Sequence, residues 1–186
     1  MTVPNLISTI RIILAPIFVI YLINDQLLSS LIVFMIAGAS DGIDGLVARI
    51  FNQKSRLGTY LDPIADKIVL VSAFVGLSVR ELLPAWLAVT VISRDVLIFL
   101  GVLILFLSNP NIAVRPTISS KITTCFQFIT VIAAFIRQYS DYLAFSYSCL
   151  IYLTAFLTII SGLQYMHTWF KMMGEGTDKN LGGGGR

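Results

Sequence analysis

Apolar residues fill this chain in long blocks separated by short polar intervals, without the strict alternation of a half-buried strand. The blocks fall at about 6–24, 27–50, 60–79, 84–107, 118–137 and 142–170. Each approaches the ~20 residues that an α-helix needs to cross a hydrocarbon core. In lipid the backbone amides must be satisfied within one segment, so the blocks predict helices and not barrel strands. The expected fold is therefore an all-α integral membrane protein, a bundle of six transmembrane helices covering residues 1–173. Pro16 predicts a kink in the first helix, and Pro84 marks the start of the fourth. The final segment, GEGTDKNLGGGGR (174–186), is polar and glycine-rich and predicts a flexible tail. At the other end, MTVPN leaves too little room before the first block for a cleavable leader.

Composition agrees with the pattern. Of 186 residues, 56% are hydrophobic and 12% charged, about half the charge of a soluble domain. The lysines and arginines then predict orientation. An even number of spans puts both termini on one side, together with Arg11, Arg49, Lys54, Arg56, Lys67, Arg94, Arg115, Lys121, Lys171, Lys179 and Arg186. Only Arg80 and Arg137 fall on the other. Such a bias places both termini in the cytoplasm. The positive residues form no continuous stripe, so the net charge of +3 does not point to nucleic acid. Cys125 and Cys149 lie in apolar runs and are expected to be small buried residues. A single histidine, His167, excludes a multi-histidine metal site and reads as an interfacial anchor.

Against this background, four of the ten acidic residues crowd into one polar-to-apolar boundary. Asp41 and Asp44 are spaced i, i+3, and Asp62 and Asp66 i, i+4, so each pair shares a helix face. A short loop between two antiparallel helices would bring the faces together near the cytoplasmic surface. Carboxylates at membrane depth cost up to about 2.5–3.5 kcal/mol each at the bilayer centre and less near the interface. They could snorkel to water one by one, or be neutralised by Arg49, Arg56 and Lys67. A divalent-cation site answers the charge best, because an all-oxygen donor set suits Mg²⁺ or Mn²⁺. Four carboxylates can bracket two ions, the arrangement that drives in-line displacement at phosphorus. Gly42, Gly45 and Ala48 would leave a bare helix surface beside them, which serves close helix packing or a flat ligand. Arg49 could hold a phosphate oxygen.

The series Asp41-x₂-Asp44-Gly45-x₂-Ala48-Arg49-x₈-Gly58-x₃-Asp62-x₃-Asp66 resembles, without a departure, the signature of the CDP-alcohol phosphatidyltransferases. The resemblance implies a six-helix membrane bundle that transfers a phosphatidyl group from CDP-diacylglycerol to an alcohol and releases CMP. It implies two metal ions on Asp41, Asp44, Asp62 and Asp66, with Asp66 also the general base. Gly45, Ala48, Arg49 and Gly58 would contact the CDP moiety, and the enzyme would be a homodimer.

Other stretches bear on the acceptor. VPNLISTIRIILAP and LDPIADK are similar to segments shared by the phosphatidylglycerophosphate synthase and cardiolipin synthase branches. VRPTISSKITT and LTAFLTIISGLQYMHTWFK resemble the cardiolipin synthase branch, and Val102 stands where the other branch tends to carry a second arginine. The expected acceptor is phosphatidylglycerol, giving cardiolipin; the alternative is glycerol 3-phosphate, giving phosphatidylglycerophosphate. Arg94, Arg115 and Lys121 are the candidate acceptor ligands, although Arg94 could serve structure and the other two a simple attraction to anionic lipid. Arg94 and Asp95, being adjacent on a helix, are expected to point to different faces and not to pair well. The location expected is a bacterial cytoplasmic membrane. From a different class, a divalent-cation channel could also use four aspartates, but the glycines and Arg49 would then be superfluous.

Overall fold

The computed structural model describes the backbone of residues 3–51, 56–108, 118–138 and 144–181, and the side chains of 9–40, 67–104, 118–138 and 145–169. Among the described residues the chain is all-helical: α1 (Val3–Ile23), α2 (Leu27–Phe51), α3 (Arg56–Val79), α4 (Ala85–Ser108), α5 (Ile118–Arg137) and α6 (Ala144–Leu181). Among the described residues, three helices contain stretches long and apolar enough to cross a membrane: Ala85–Ile104, Ile118–Arg137 and Phe145–Trp169. In α1, α2 and α3 the described apolar stretches are shorter, at Thr9–Ile23, Leu27–Ser40 and Lys67–Val79.

α1 runs through Pro16 as one helix, and Pro84 directly precedes α4, its carbonyl accepting from Leu87 N–H at 3.0 Å. α6 continues to Leu181, past the residue where composition predicts the tail to begin. Gly174 and Gly176 cost a helix about 1 kcal/mol each without forbidding it, and no proline interrupts the run. Cys125 and Cys149 are exposed on α5 and α6, contrary to expectation. On a helix with lipid outside, an apolar neighbourhood in sequence does not distinguish the packed face from the lipid face.

α1 packs chiefly on α2 and α3, α6 on α4 and α5, and α3 joins the two groups by touching α4 and α5. The core sits where they meet. Phe18 is buried between Phe34, at 5.8 Å between ring centroids, and Phe135, edge-on at 6.3 Å. Phe34 stacks on Phe128 at 4.5 Å. Gly38 makes this possible, because a Cβ there would clash with the Cζ–Cε2 edge of the Phe128 ring. Gly76 similarly admits Leu22, whose Cδ2 would be 2.6 Å from an added Cβ. Small residues let helices approach until dispersion contacts, and not the hydrophobic effect, hold them together in lipid.

At one end of the bundle, α1 and α3 close in the same way. Asp25 and Glu81 take left-handed backbone conformations, φ 61° and 57°. Gln26 N–H donates to Tyr21 O at 3.0 Å and Leu82 N–H to Leu77 O at 2.8 Å. These six-to-one bonds satisfy carbonyls that a helix terminus leaves orphaned. Asp25 and Arg80 form an ion pair that ties the two turns together. The opposite end of the bundle carries the acidic helix termini.

Candidate active site

The helical backbone of α2 carries Asp41, Asp44, Gly45, Ala48 and Arg49, and that of α3 carries Gly58, Asp62 and Asp66. The i, i+3 and i, i+4 spacings therefore lie on continuous helix, as expected. The side chains of these eight residues lie outside the described residues, and so does Arg115 altogether. Among the described side chains no group of three potential metal ligands gathers.

Immediately after Asp66 in the chain, Lys67 joins a charged cluster between α3 and α4. Lys67 Nζ of α3 donates to Asp95 Oδ1 of α4 at 2.7 Å. Arg94 NH1 donates to the same oxygen at 2.8 Å. Arg94 NH2 reaches both neighbouring helices, donating to Ser120 Oγ of α5 at 2.7 Å and to Ser161 Oγ of α6 at 2.6 Å. The guanidinium carbon also lies 6.0 Å from the centre of the Tyr165 ring. Arg94 and Asp95 side chains are 4% and 8% exposed, whereas Lys67 is 39% exposed. One carboxylate thus gathers two cations, and one arginine ties α4 to α5 and α6.

Arg94 and Asp95, expected to pair poorly, are joined by a hydrogen-bonded ion pair. Their Cβ atoms diverge on the helix, but the arginine stem is long enough to fold back along α4 and return its planar fork to the neighbouring carboxylate. Lys67, a candidate neutraliser of the acidic motif, is committed to Asp95. Two polar atoms in the cluster are buried with no hydrogen-bond partner: Arg94 Nε and Asp95 Oδ2. Leaving such groups unmet costs about 1–3 kcal/mol each.

A second cation is more deeply placed than its sequence context suggests. Arg11 of α1 is 2% exposed. α1 and α2 are antiparallel, and the Phe18–Phe34 contact runs Arg11 to within about one turn of Asp41. The Leu22–Gly76 contact with α3 runs it to within about one turn of Asp66. Counting Arg11 only toward orientation misses this. The signal was present, since an arginine inside an apolar helix is by default a functional candidate. Ser120 and Ser161 offered no such signal. Lys121 is exposed on α5, and Val102 is exposed on α4, facing outward.

Beneath the cluster, a polar seam runs between α5 and α6. Thr123 Oγ1 donates to Leu157 O at 3.2 Å, Gln127 Nε2 donates to Thr158 Oγ1 at 3.3 Å, and the Thr130 and Thr154 hydroxyls share a bond of 2.7 Å. All five side chains are fully or nearly fully buried. Interhelical bonds of this kind fix rotation and register where apolar packing alone would tolerate sliding.

Fold and site together define an α-helical membrane protein with a buried cationic cluster at the level of an acidic helix pair. Within that class, the chain belongs to the CDP-alcohol phosphatidyltransferase family, whose pattern matches residues 1–171. It is 36% identical to the cardiolipin synthase (CMP-forming) of Rattus norvegicus, over 89% of this chain and 61% of that protein. The Homo sapiens protein of the same name gives the same three figures. It is 33% identical to the CDP-diacylglycerol–glycerol-3-phosphate 3-phosphatidyltransferase of Haemophilus influenzae, over 88% of this chain and 91% of that protein. The chain thus spans about three fifths of the length of the mammalian relatives.

Proposed function

We propose that the chain transfers the phosphatidyl group of CDP-diacylglycerol to phosphatidylglycerol, forming cardiolipin and CMP. The observation that carries the acceptor is the Lys67–Asp95–Arg94 cluster, one residue beyond Asp66, with one net positive charge and an unsatisfied arginine N–H. A phosphodiester carries one negative charge and offers oxygens to such a donor. The names of the mammalian relatives support the same acceptor.

In this reading Asp66 takes the proton of the acceptor hydroxyl, whose oxygen attacks the lipid-side phosphorus of the diphosphate. The new P–O bond forms as the bond to CMP breaks, and CMP leaves with the electron pair. Asp41, Asp44, Asp62 and Asp66 would hold two divalent cations, Mg²⁺ or Mn²⁺; their all-oxygen donor chemistry on two adjacent helix segments fits such ions. When bound, the ions would supply charge stabilisation for the diphosphate and its leaving group. Gly45, Ala48, Arg49 and Gly58 would contact the CDP portion. Arg94 orients the acceptor phosphate, with Arg115 and Lys121 drawing anionic lipid toward the site. Arg11 sits at the level of the aspartates as a further buried counter-charge. All six helices span the membrane, with both termini and the site facing the cytoplasm; the protein is a homodimer in a bacterial cytoplasmic membrane.

A second reading, with glycerol 3-phosphate as acceptor, is favoured by the near full-length match to the Haemophilus influenzae relative. Purified protein in mixed micelles with CDP-diacylglycerol and Mn²⁺, given each acceptor separately, decides between them by product mass. Cardiolipin from phosphatidylglycerol alone is the expected result. Phosphatidylglycerophosphate from glycerol 3-phosphate alone would overturn the acceptor while keeping the class. CMP release from neither would overturn both and return a cation pathway to consideration.

A further inference from the structure

We propose that a cavity at the end of the bundle away from the aspartates binds the head group of an aminophospholipid. Arg137 takes its phosphodiester and Glu81 its primary ammonium. The site is separate from the transfer chemistry. Ser78, on its lining, lies twelve positions beyond Asp66 on α3, about 18 Å along the helix axis.

The cavity has a volume of about 530 Å³, within the ~300–1,000 Å³ usual for ligand sites. It opens where the α3–α4 turn meets the end of α5 and the start of α6. Glu81 and Arg137 both line it and both are exposed, yet they do not pair with each other. The Arg137 guanidinium instead lies over the Tyr147 ring, 4.9 Å from its centre. Tyr147 is buried and donates its hydroxyl to Leu82 O, in the turn that carries Glu81. Among the described residues the Glu81 carboxylate has no partner. It stands at φ 57°, where glycine would be unstrained, so the carboxylate is present at a backbone cost. A cavity that holds opposite charges on one lining without joining them complements a zwitterion.

Charge selects the class of head group. Among the described residues at this end, Asp25 pairs with Arg80, which leaves Glu81 and Arg137 to balance each other. An anionic head group would upset that balance and a zwitterionic one keeps it. A primary ammonium brings N–H donors to the carboxylate, and a quaternary ammonium has none. A quaternary group would need an open aromatic face, and Arg137 already lies over Tyr147. Depth then selects a lipid. Trp86 and Tyr152 directly follow the lining residues Ala85 and Ile151, stack at 5.8 Å and are exposed. Such aromatics sit at the head-group level of a bilayer. One turn further into α4 and α6, Val89 and Phe156 are exposed where acyl chains would descend.

The test measures binding of phosphatidylethanolamine and phosphatidylcholine to the purified full chain in detergent micelles, by native mass spectrometry. Wild type, Glu81→Gln and Arg137→Gln are compared. An exposed ion pair contributes up to about 1 kcal/mol, which is about fivefold in affinity. Wild type should therefore bind phosphatidylethanolamine about fivefold more tightly than phosphatidylcholine. In Glu81→Gln the ratio should fall to about one, whereas Arg137→Gln should weaken both lipids about fivefold and keep the ratio. Unfolding midpoints without lipid establish that each variant is folded. Should Arg137→Gln not fold for want of its contact with Tyr147, Glu81→Gln carries the test alone. Equal binding of the two lipids by wild type overturns the inference, and so does a preference that survives in folded Glu81→Gln. Glycerophosphoethanolamine, the same head group without chains, should bind far more weakly. If it binds as tightly as the lipid, the ligand is a soluble ester and the lipid assignment falls.

Discussion

Replacing Arg94 by Met should destabilise the helix bundle by about 2 kcal/mol. The guanidinium makes two bonds between helices, to Ser120 Oγ at 2.7 Å and to Ser161 Oγ at 2.6 Å. Interhelical hydrogen bonds in membranes average about 0.6 kcal/mol and reach about 1.7. Both of these are short and charge-assisted, which puts them at the upper end, about 3 kcal/mol together. The bond to Asp95 lies within α4 and can survive when the helices separate, so it is left out of the sum. The opposing effect is relief from burying a cation, up to about 2.5–3.5 kcal/mol at the bilayer centre. Here it is small, because Asp95 already offsets the charge at 2.8 Å. The net is a loss of about 2 kcal/mol, with Arg94→Lys intermediate, since a point-like ammonium cannot reach Asp95 and both serines at once. Thermal or SDS-induced unfolding of the purified protein in mixed micelles measures this. An Arg94→Met protein as stable as wild type, or more so, would refute the reasoning and show that desolvation dominates the cluster.

Other substitutions probe separate parts of the molecule. Glu81→Gly should stabilise the fold by about 1 kcal/mol, because Glu81 sits at φ 57° where a Cβ is strained; a decrease in unfolding midpoint would contradict this. Gly38→Ala should destabilise by about 1–3 kcal/mol, since Phe128 must leave its stack on Phe34 to admit the methyl; an unchanged midpoint would mean that the ring moves freely. Asp66→Asn should abolish CMP release from CDP-diacylglycerol while retaining most Mn²⁺ binding, measured by calorimetry, and near-normal turnover would remove Asp66 as base.

The helix pattern was legible because it rests on one local requirement: a backbone in lipid must satisfy its own hydrogen bonds, so each apolar block has one solution. The starts of α2 and α5 and the end of α5 fall where the blocks predict. The helical backbone under the acidic motif was equally legible, since i, i+3 and i, i+4 spacing is a property of the helix and needs no partner. The end of α6 was not, because glycine-rich composition states a cost per residue without saying whether the helix continues.

Sequence alone therefore determined which segments are helical, that the chain belongs with membrane proteins, and the family through its spaced aspartates and glycines. Tertiary structure alone decided which charges meet. Lys67 and Asp95 are 28 positions apart and Arg94 and Ser161 67, and no local periodicity relates them. Arg94 and Asp95 looked divergent on a bare helix, and Arg11 looked like one more topological charge. Each acquired its role only when packing excluded water from it. A polar group without water must find its partner among whatever side chains the fold brings within about 3 Å.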